Sequence, residues 1–341
     1  MTETLQTNNK TDAKSIKYPY HIIKDPLQYN FIDNAFSICT LKNGNIYLVY
    51  STRNNSIISF DLLNFHKLNE IKQAHKGEIT NIRYYYDIIN INDLILSISS
   101  SDSTIKIWSL KNFKCILNLE NIYEGGNIYS ACFITDNGKN YIASSNYDMD
   151  NLYPIRIYDF DKKRVKEIDD SKDMIFKIDS LYDKKSSKNY IITCSYGFEK
   201  SYNFQENKLY RKYHDNDDCA HFDFLIHEYD DKIQLIESSE LGTIRFWNFH
   251  SGNLMKKVIL DECFHMIYLW NNDYLFAGIL NVVKLIDLKK GTIDKTLDDN
   301  QKDVNNVKGF IHPKYGKCLL SQNYEGIILW TKENNLQLNL K

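Results

Sequence analysis

A bulky residue followed by a small polar one recurs seven times along the chain, and the spacing of these pairs constrains the fold more than any other feature. The copies begin at Phe60, Trp108, Tyr158, Tyr202, Trp247, Ile286 and Trp330, so that successive copies are 48, 50, 44, 45, 39 and 44 residues apart, a mean of 45. A period near 45 in a chain rich in alternating polar and apolar residues predicts an array of small antiparallel sheets arranged as a β-propeller. Seven units of roughly 45 residues take up about 315 residues, leaving only short tails in a chain of 341. The fold class expected is therefore all-β, a seven-bladed propeller in a single domain over 18–341, with a polar tail over 1–17 expected to be disordered.

The second copy shows the unit most clearly. Leu94–Ser99 and Thr104–Ser109 (TIKIWS) alternate as strands around a tight turn, with Ile79–Asp87 before them as an inner strand and Lys114–Leu119 after them as an outer one. The fifth copy repeats the plan through His221–Glu228, Lys232–Ser238, Thr243–Asn248 (TIRFWN) and Leu254–Leu260. Gly252 and Gly291 fall in turns between the third and fourth strands, where positive φ is often required. Lys106 and Arg245 occupy equivalent positions and, by alternation, are expected to face solvent. In the run Arg83-Tyr84-Tyr85-Tyr86 on the inner strand of the second unit, at least one tyrosine is expected to pack between blades.

These residues resemble the WD-repeat (WD40) family. The resemblance covers nearly all of the chain after about residue 30, although the repeats are degenerate. It implies a buried network of His, Ser or Thr, Asp and Trp. In the second unit the matching residues are His75, Ser97 or Ser99, Asp102 and Trp108, with Ser99 as the expected member. Elsewhere the Asp position holds Asn54, Tyr196, Leu241, Leu280 and Tyr324, and the third unit carries an insertion, NYDMDNLYP. The family usually closes its ring with an N-terminal strand. Tyr18–Lys24 suits that slot better than Leu336–Leu340.

Composition bounds the function classes. The formal charge is −2, which does not favour nucleic acid or an anionic membrane as a bulk effect. Seven scattered cysteines without a C-x-x-C pair argue for free thiols and a reducing compartment. No apolar run approaches the roughly 18–20 residues of a membrane span, and the N-terminal residues lack a signal-peptide core. The expectation is a cytoplasmic protein, with the nucleus as an open alternative. There is no phosphate-cradling glycine motif, H-E-x-x-H, EF-hand, zinc spacing or G-x-S-x-G, so no cofactor, metal or catalytic residue is expected. His221, His227 and His265 on inner strands are expected to be packed or to line the pore. The F-R-R-G motif of phosphoinositide-binding propellers and the W-D-x-R of cullin-ligase receptors are absent as well.

What remains is charge placement. Loops entering each inner strand, together with turns between second and third strands, share one face. They carry Asp169, Asp170, Asp173, Asp215, Asp217, Asp218, Asp261, Glu262, Asp298, Asp299 and Asp303, with Asp148, Asp150, Glu199, Glu240 and Glu325 in the turns. The opposite face collects Lys162, Lys163, Arg164, Lys184, Lys185, Lys188, Lys289, Lys290 and Lys314. The expected function is a non-catalytic scaffold or adaptor whose partners are other proteins. One alternative is a reader of Lys/Arg-rich tails through Asp169, Asp170, Asp215, Asp217, Asp218, Asp298 and Asp299. The other is a propeller enzyme with a site at the central channel.

Overall fold

In a computed structural model, which describes residues 20–23, 35–124, 126–146, 152–216, 219–260, 262–263, 266–279, 282–297, 304, 306–323 and 326–331, the repeat becomes seven four-stranded antiparallel sheets. In six of them the strands follow chain order from inner to outer edge, labelled a to d. Blade 2 comprises Ile79–Asp87, Asn92–Ser99, Thr104–Ser109 and Cys115–Glu120; blade 5 comprises His221–Tyr229, Lys232–Ser239, Thr243–Asn248 and Leu254–Ile259. The seventh sheet differs. Its three strands Asn306–His312, Gly316–Asn323 and Gly326–Trp330 are completed by Tyr20–Ile23, antiparallel to Gly326–Trp330. The N-terminal segment therefore closes the ring, as expected; the competing segment 336–340 and the tail 1–17 lie outside the described residues.

The core is divided into seven apolar clusters, one for each junction between neighbouring blades. The cluster of Phe36, Leu48 and Phe60 from blade 1 with Phe310, Cys318, Leu320 and Leu329 from blade 7 is as complete as the others. Each recurring bulky residue lies on strand c and packs toward the preceding blade: Trp108 joins blade 1, Tyr202 blade 3, Trp247 blade 4 and Trp330 blade 6. A sheet with both faces apolar cannot stand alone, and this stacking is what removes both faces from water.

The second half of the motif also has a structural cause. The side chain of the polar residue folds over the c–d turn and accepts backbone N–H groups: Asp61 Oδ1 from Leu63 and Asn64, Asp159 Oδ1 from Asp161 and Lys163, Asn248 Oδ1 from Ser251, and Asp287 Oδ1 from Lys289 and Lys290. These are Asx-type turns. The turn ends in a left-handed residue, at Gly252 (φ 73°) and Gly291 (φ 68°) as foreseen. Opposite the bulky residue, strand d carries an extra residue in all six blades whose d strand follows c, a bulge that falls at Leu68, Ile116, Val165, Tyr210, Met255 and Asp294.

Candidate functional site

The inner strands of blades 1, 2, 4, 5, 6 and 7 line a central channel of about 400 Å³. Three cations converge on it from blades 2, 4 and 7. Arg83 sits 3.4 Å from Asp179, Lys177 Nζ is 2.6 Å from Asp223 Oδ1, and Lys308 Nζ donates to the Phe36 carbonyl at 2.7 Å. Burial, with the neighbouring Arg83 and Lys177 charges, pushes the Lys308 ammonium down to about 7. Gly309 makes room in this wall, since a Cβ there would stand 2.3 Å from the Tyr268 ring. Of the Arg83–Tyr86 run, Arg83 and Tyr84 line the channel, and Tyr85 stacks on Phe133 of blade 3 at 4.4 Å.

Blade 2 holds the polar network that the sequence suggested, with one change of member. His75 Nε2 lies 2.7 Å from Ser97 Oγ, and Trp108 Nε1–H donates to the same oxygen at 2.8 Å. His75 Nδ1 lies 2.7 Å from Thr104 Oγ1, whose hydroxyl donates to Asp102 Oδ1 at 2.6 Å. The chain of donors has one consistent direction, from Trp108 through Ser97, His75 and Thr104 to the Asp102 carboxylate, so His75 is neutral with its proton on Nδ1. Burial likewise lowers the His75 pKa. Burial alone would raise the Asp102 carboxyl, but the hydrogen bonds from His75 and Thr104 and the Gly77 backbone N–H hold it well below the usual range. Ser99 is not a member: its Oγ has no hydrogen-bond partner among the described residues. Ser97 and Ser99 share a face of one strand, and only the register decides between them, Ser97 opposite Lys106 and Ser99 opposite Thr104.

Blade 5 fills the same positions differently. Glu237 stands where Ser97 does and Arg245 where Lys106 does, judged from their pairing relative to Trp247 and Trp108. The four groups Glu199, His221, Glu237 and Arg245 are all at most 1% exposed. His221 Nδ1 is 2.6 Å from Glu199 Oε1 and 3.7 Å from Glu237 Oε2, and Arg245 bridges Glu237 at 2.7 Å and Asp215 at 3.0 Å. Burial, with Glu199 alongside, pushes the Glu237 carboxyl well above the ordinary range. The ligand atoms of Glu199, His221 and Glu237 lie within 4.8 Å of one another and could hold a cation. The Arg245 guanidinium already brings a positive charge to that carboxylate pair. Trp247 Nε1, having lost its serine, has no partner among the described residues.

Arg245 therefore corrects the solvent-facing expectation, and Lys106 does so in part, being only half-buried and donating to the Ala74 carbonyl at 2.7 Å. A cation occupies this strand c position in blades 2 to 6, and each reaches into the loop that precedes its own blade. Arg156 bonds the Ile122 carbonyl, Lys200 meets Asp173 at 2.6 Å, and Lys284 meets Glu262. Acids expected to face a partner are thus engaged internally. Asp173, Asp215 and Glu262 hold these cations, Lys257 adds a second contact to Asp215 at 2.6 Å, and Glu199 is buried on strand c rather than exposed in a turn. Asp169 and Asp170 are exposed in a short 3-10 turn, as is Glu240 at a b–c turn. Asp148, Asp150, Asp217, Asp218, Asp261, Asp298, Asp299, Asp303, Glu325 and His265 lie outside the described residues. His221 packs between blades, and His227 bonds Asn272 at 3.0 Å away from the channel.

Sequence reasoning did not find two apolar side chains on this acidic face. Tyr196 and Leu241, 50% and 62% exposed, stand at the b–c turns of blades 4 and 5. The segment at Ala220 ties these turns together, pairing with Tyr196 and accepting from the Glu240 N–H at 2.9 Å. Both residues sit at the position where the second blade has Asp102, a departure visible in the sequence. All seven cysteines are free thiols, and among the described residues no helix is long and apolar enough to cross a membrane. No family model matches this chain, and no curated protein matches it.

Proposed function

We propose that the chain is a degenerate WD-repeat propeller acting in the cytoplasm as a non-catalytic interaction platform, and that its principal contact surface is the acidic face over blades 4 and 5. The observation that carries this reading is the pair Tyr196 and Leu241, large apolar side chains exposed on neighbouring turns and flanked by the exposed acid Glu240. Aromatic and aliphatic anchors within a charged rim are the usual pattern of an energetically dominant contact. The buried cluster directly beneath, with Arg245 linking Asp215 to Glu237, holds the turns in place before any partner arrives, so little ordering cost is left for binding. The preferred partner carries an apolar side chain beside Lys or Arg. Asp169, Asp170 and Glu240 supply the exposed negative charge for a basic tail. The test is affinity capture from the native cells with the double variant Tyr196→Ala/Leu241→Ser, whose exposed positions leave the melting temperature unchanged. Loss of the captured set supports the platform at this face, and an unchanged set sinks it.

Lys308 supports a second reading. An amine whose pKa is about 7 in a 400 Å³ channel is nucleophilic at neutral pH toward carbonyl compounds. Borohydride trapping with small aldehydes, read by mass at Lys308 and compared with Lys308→Met, separates this channel chemistry from the platform.

A further inference from the structure

The face opposite the acidic loops is formed by the a–b and c–d turns, and one of these turns breaks the pattern of the rest. In blade 2 the a–b turn joining Ile79–Asp87 to Asn92–Ser99 presents Ile88, Ile89 and Ile91, which are 67%, 39% and 78% exposed. Ile91 also has φ 51°, a left-handed conformation that is a genuine outlier for a β-branched side chain. At their a–b turns, blades 1, 3, 4, 5 and 7 use Gly44, Asn137, Ser187, Asp230 with Asp231, and Gly316 for positive φ. The backbone of the isoleucine turn is itself well made, because Asp87 Oδ1 accepts the Ile89 and Asn90 N–H groups at 3.0 and 3.2 Å. Neither packing nor turn chemistry accounts for isoleucine at these positions, since burial is not gained and strain is added. Such strain is retained where something outside the fold uses it.

Around this apolar tip the exposed charge is mainly positive. Lys42 comes from the a–b turn of blade 1 and lies over the Tyr86 ring at 4.8 Å, Lys111 and Lys114 come from the c–d turn of blade 2, and Lys162 and Lys163 from that of blade 3. Among the described residues these five lysines form no ion pair, while the nearby acids Asp87 and Asp159 are occupied in capping their own turns. Exposed Asp161 is the counterweight on this side. The apolar tip is raised among lysines on flexible stems. It fits a surface that is soft, apolar beneath and negatively charged above. We propose that this face docks on an anionic lipid bilayer, with Ile88, Ile89 and Ile91 entering the interfacial region and the lysines resting among the headgroups. Lysines near an anionic leaflet each strengthen binding by roughly fivefold, and the inserted tip converts a loose electrostatic association into a fixed orientation. A nucleic acid would use the lysines and leave the isoleucines idle.

The test is co-sedimentation of the full chain with vesicles of phosphatidylcholine alone and of phosphatidylcholine mixed with phosphatidylserine. The wild type is expected to bind only the mixed vesicles. The variant Ile88→Ser/Ile91→Gly, which relieves the strained φ and so preserves folding, is expected to bind at least about tenfold more weakly, in keeping with the apolar surface it no longer buries. Lys162→Glu/Lys163→Glu and elevated salt should each abolish binding. Failure to bind the mixed vesicles overturns the proposal. So does binding that survives the isoleucine variant, which would mark a basic surface of no particular kind and would be matched by duplex DNA. Because the acidic face is untouched by these variants, the outcome is independent of partner capture by Tyr196 and Leu241.

Discussion

Blades 2 and 5 answer the same packing problem with opposite electrostatics. Blade 2 places a neutral chain of hydroxyls and one histidine between Trp108 and Asp102, each donor meeting one acceptor. Blade 5 replaces the serine with Glu237 and the lysine with Arg245, and so must balance full charges with almost no solvent. The first solution is local and self-contained. The second draws in Glu199 from blade 4 and Asp215 from the preceding loop, and therefore couples two blades. Blade 5, one of the blades that depart from the blade 2 network, is also the one that carries the exposed Leu241.

The largest effect should come from cutting blade 5. Arg245→Met removes the buried guanidinium that bridges Glu237 and Asp215, leaves Asp215 only its Lys257 contact, and is expected to cost about 3–5 kcal/mol in urea unfolding. A loss below about 1 kcal/mol would show that the cluster is not held as an ion pair. Ser97→Ala in blade 2 orphans Trp108 Nε1 and His75 Nε2 and should cost about 1–3 kcal/mol. Lys106→Met, at the position equivalent to Arg245, removes a single half-buried bond to the Ala74 carbonyl and should cost about 1 kcal/mol or less. Finding Lys106→Met as damaging as Arg245→Met would erase the contrast between the blades. Reversal of Asp215, which would otherwise serve as a probe of basic-peptide binding, should act first on stability.

The smallest and sharpest comparison is in pH. The His75 pKa is depressed in the fold, so the unfolded chain binds more protons between the folded pKa and 6.5, and blade 2 contributes stability that is lost as pH falls through that window. The Glu237 pKa is raised, so the folded chain binds more protons above 4.5, and blade 5 loses stability as pH rises toward the folded pKa. Melting temperatures of His75→Asn and Glu237→Gln relative to the wild type, followed from pH 5 to 8, should therefore change with opposite slopes. Parallel slopes would rule out the assigned protonation states.

The 45-residue period and the recurring pair carried the ring and the strands of blades 2 and 5 to within a residue or two, because both depend on local chemistry repeated seven times. The closing strand occurs once and was legible only through the resemblance to the WD-repeat family. The misreadings share one cause. Alternation along a strand separates two faces of an isolated sheet, but in a propeller both faces meet another blade, so Arg245 and, in part, Lys106 lie inside. The acids that cover such cations, Asp173, Asp215 and Glu262, come from loops whose reach cannot be read from spacing. Ser97 against Ser99 is a question of register, which is set by cross-strand pairing. Tyr196 and Leu241 were visible only as missing aspartates.

Closure by Tyr20–Ile23 on Gly326–Trp330 has a consequence in time. The segment leaves the ribosome before any of the seven blades, yet its hydrogen-bonding partner follows only after roughly 15–60 s of synthesis at ordinary rates. Throughout that interval blade 1 offers Phe36, Leu48 and Phe60 to a neighbour that does not exist yet. Nascent chains of this protein should therefore be heavy clients of chaperones that shield unpaired strand edges, and their release should coincide with the emergence of Gly326–Trp330.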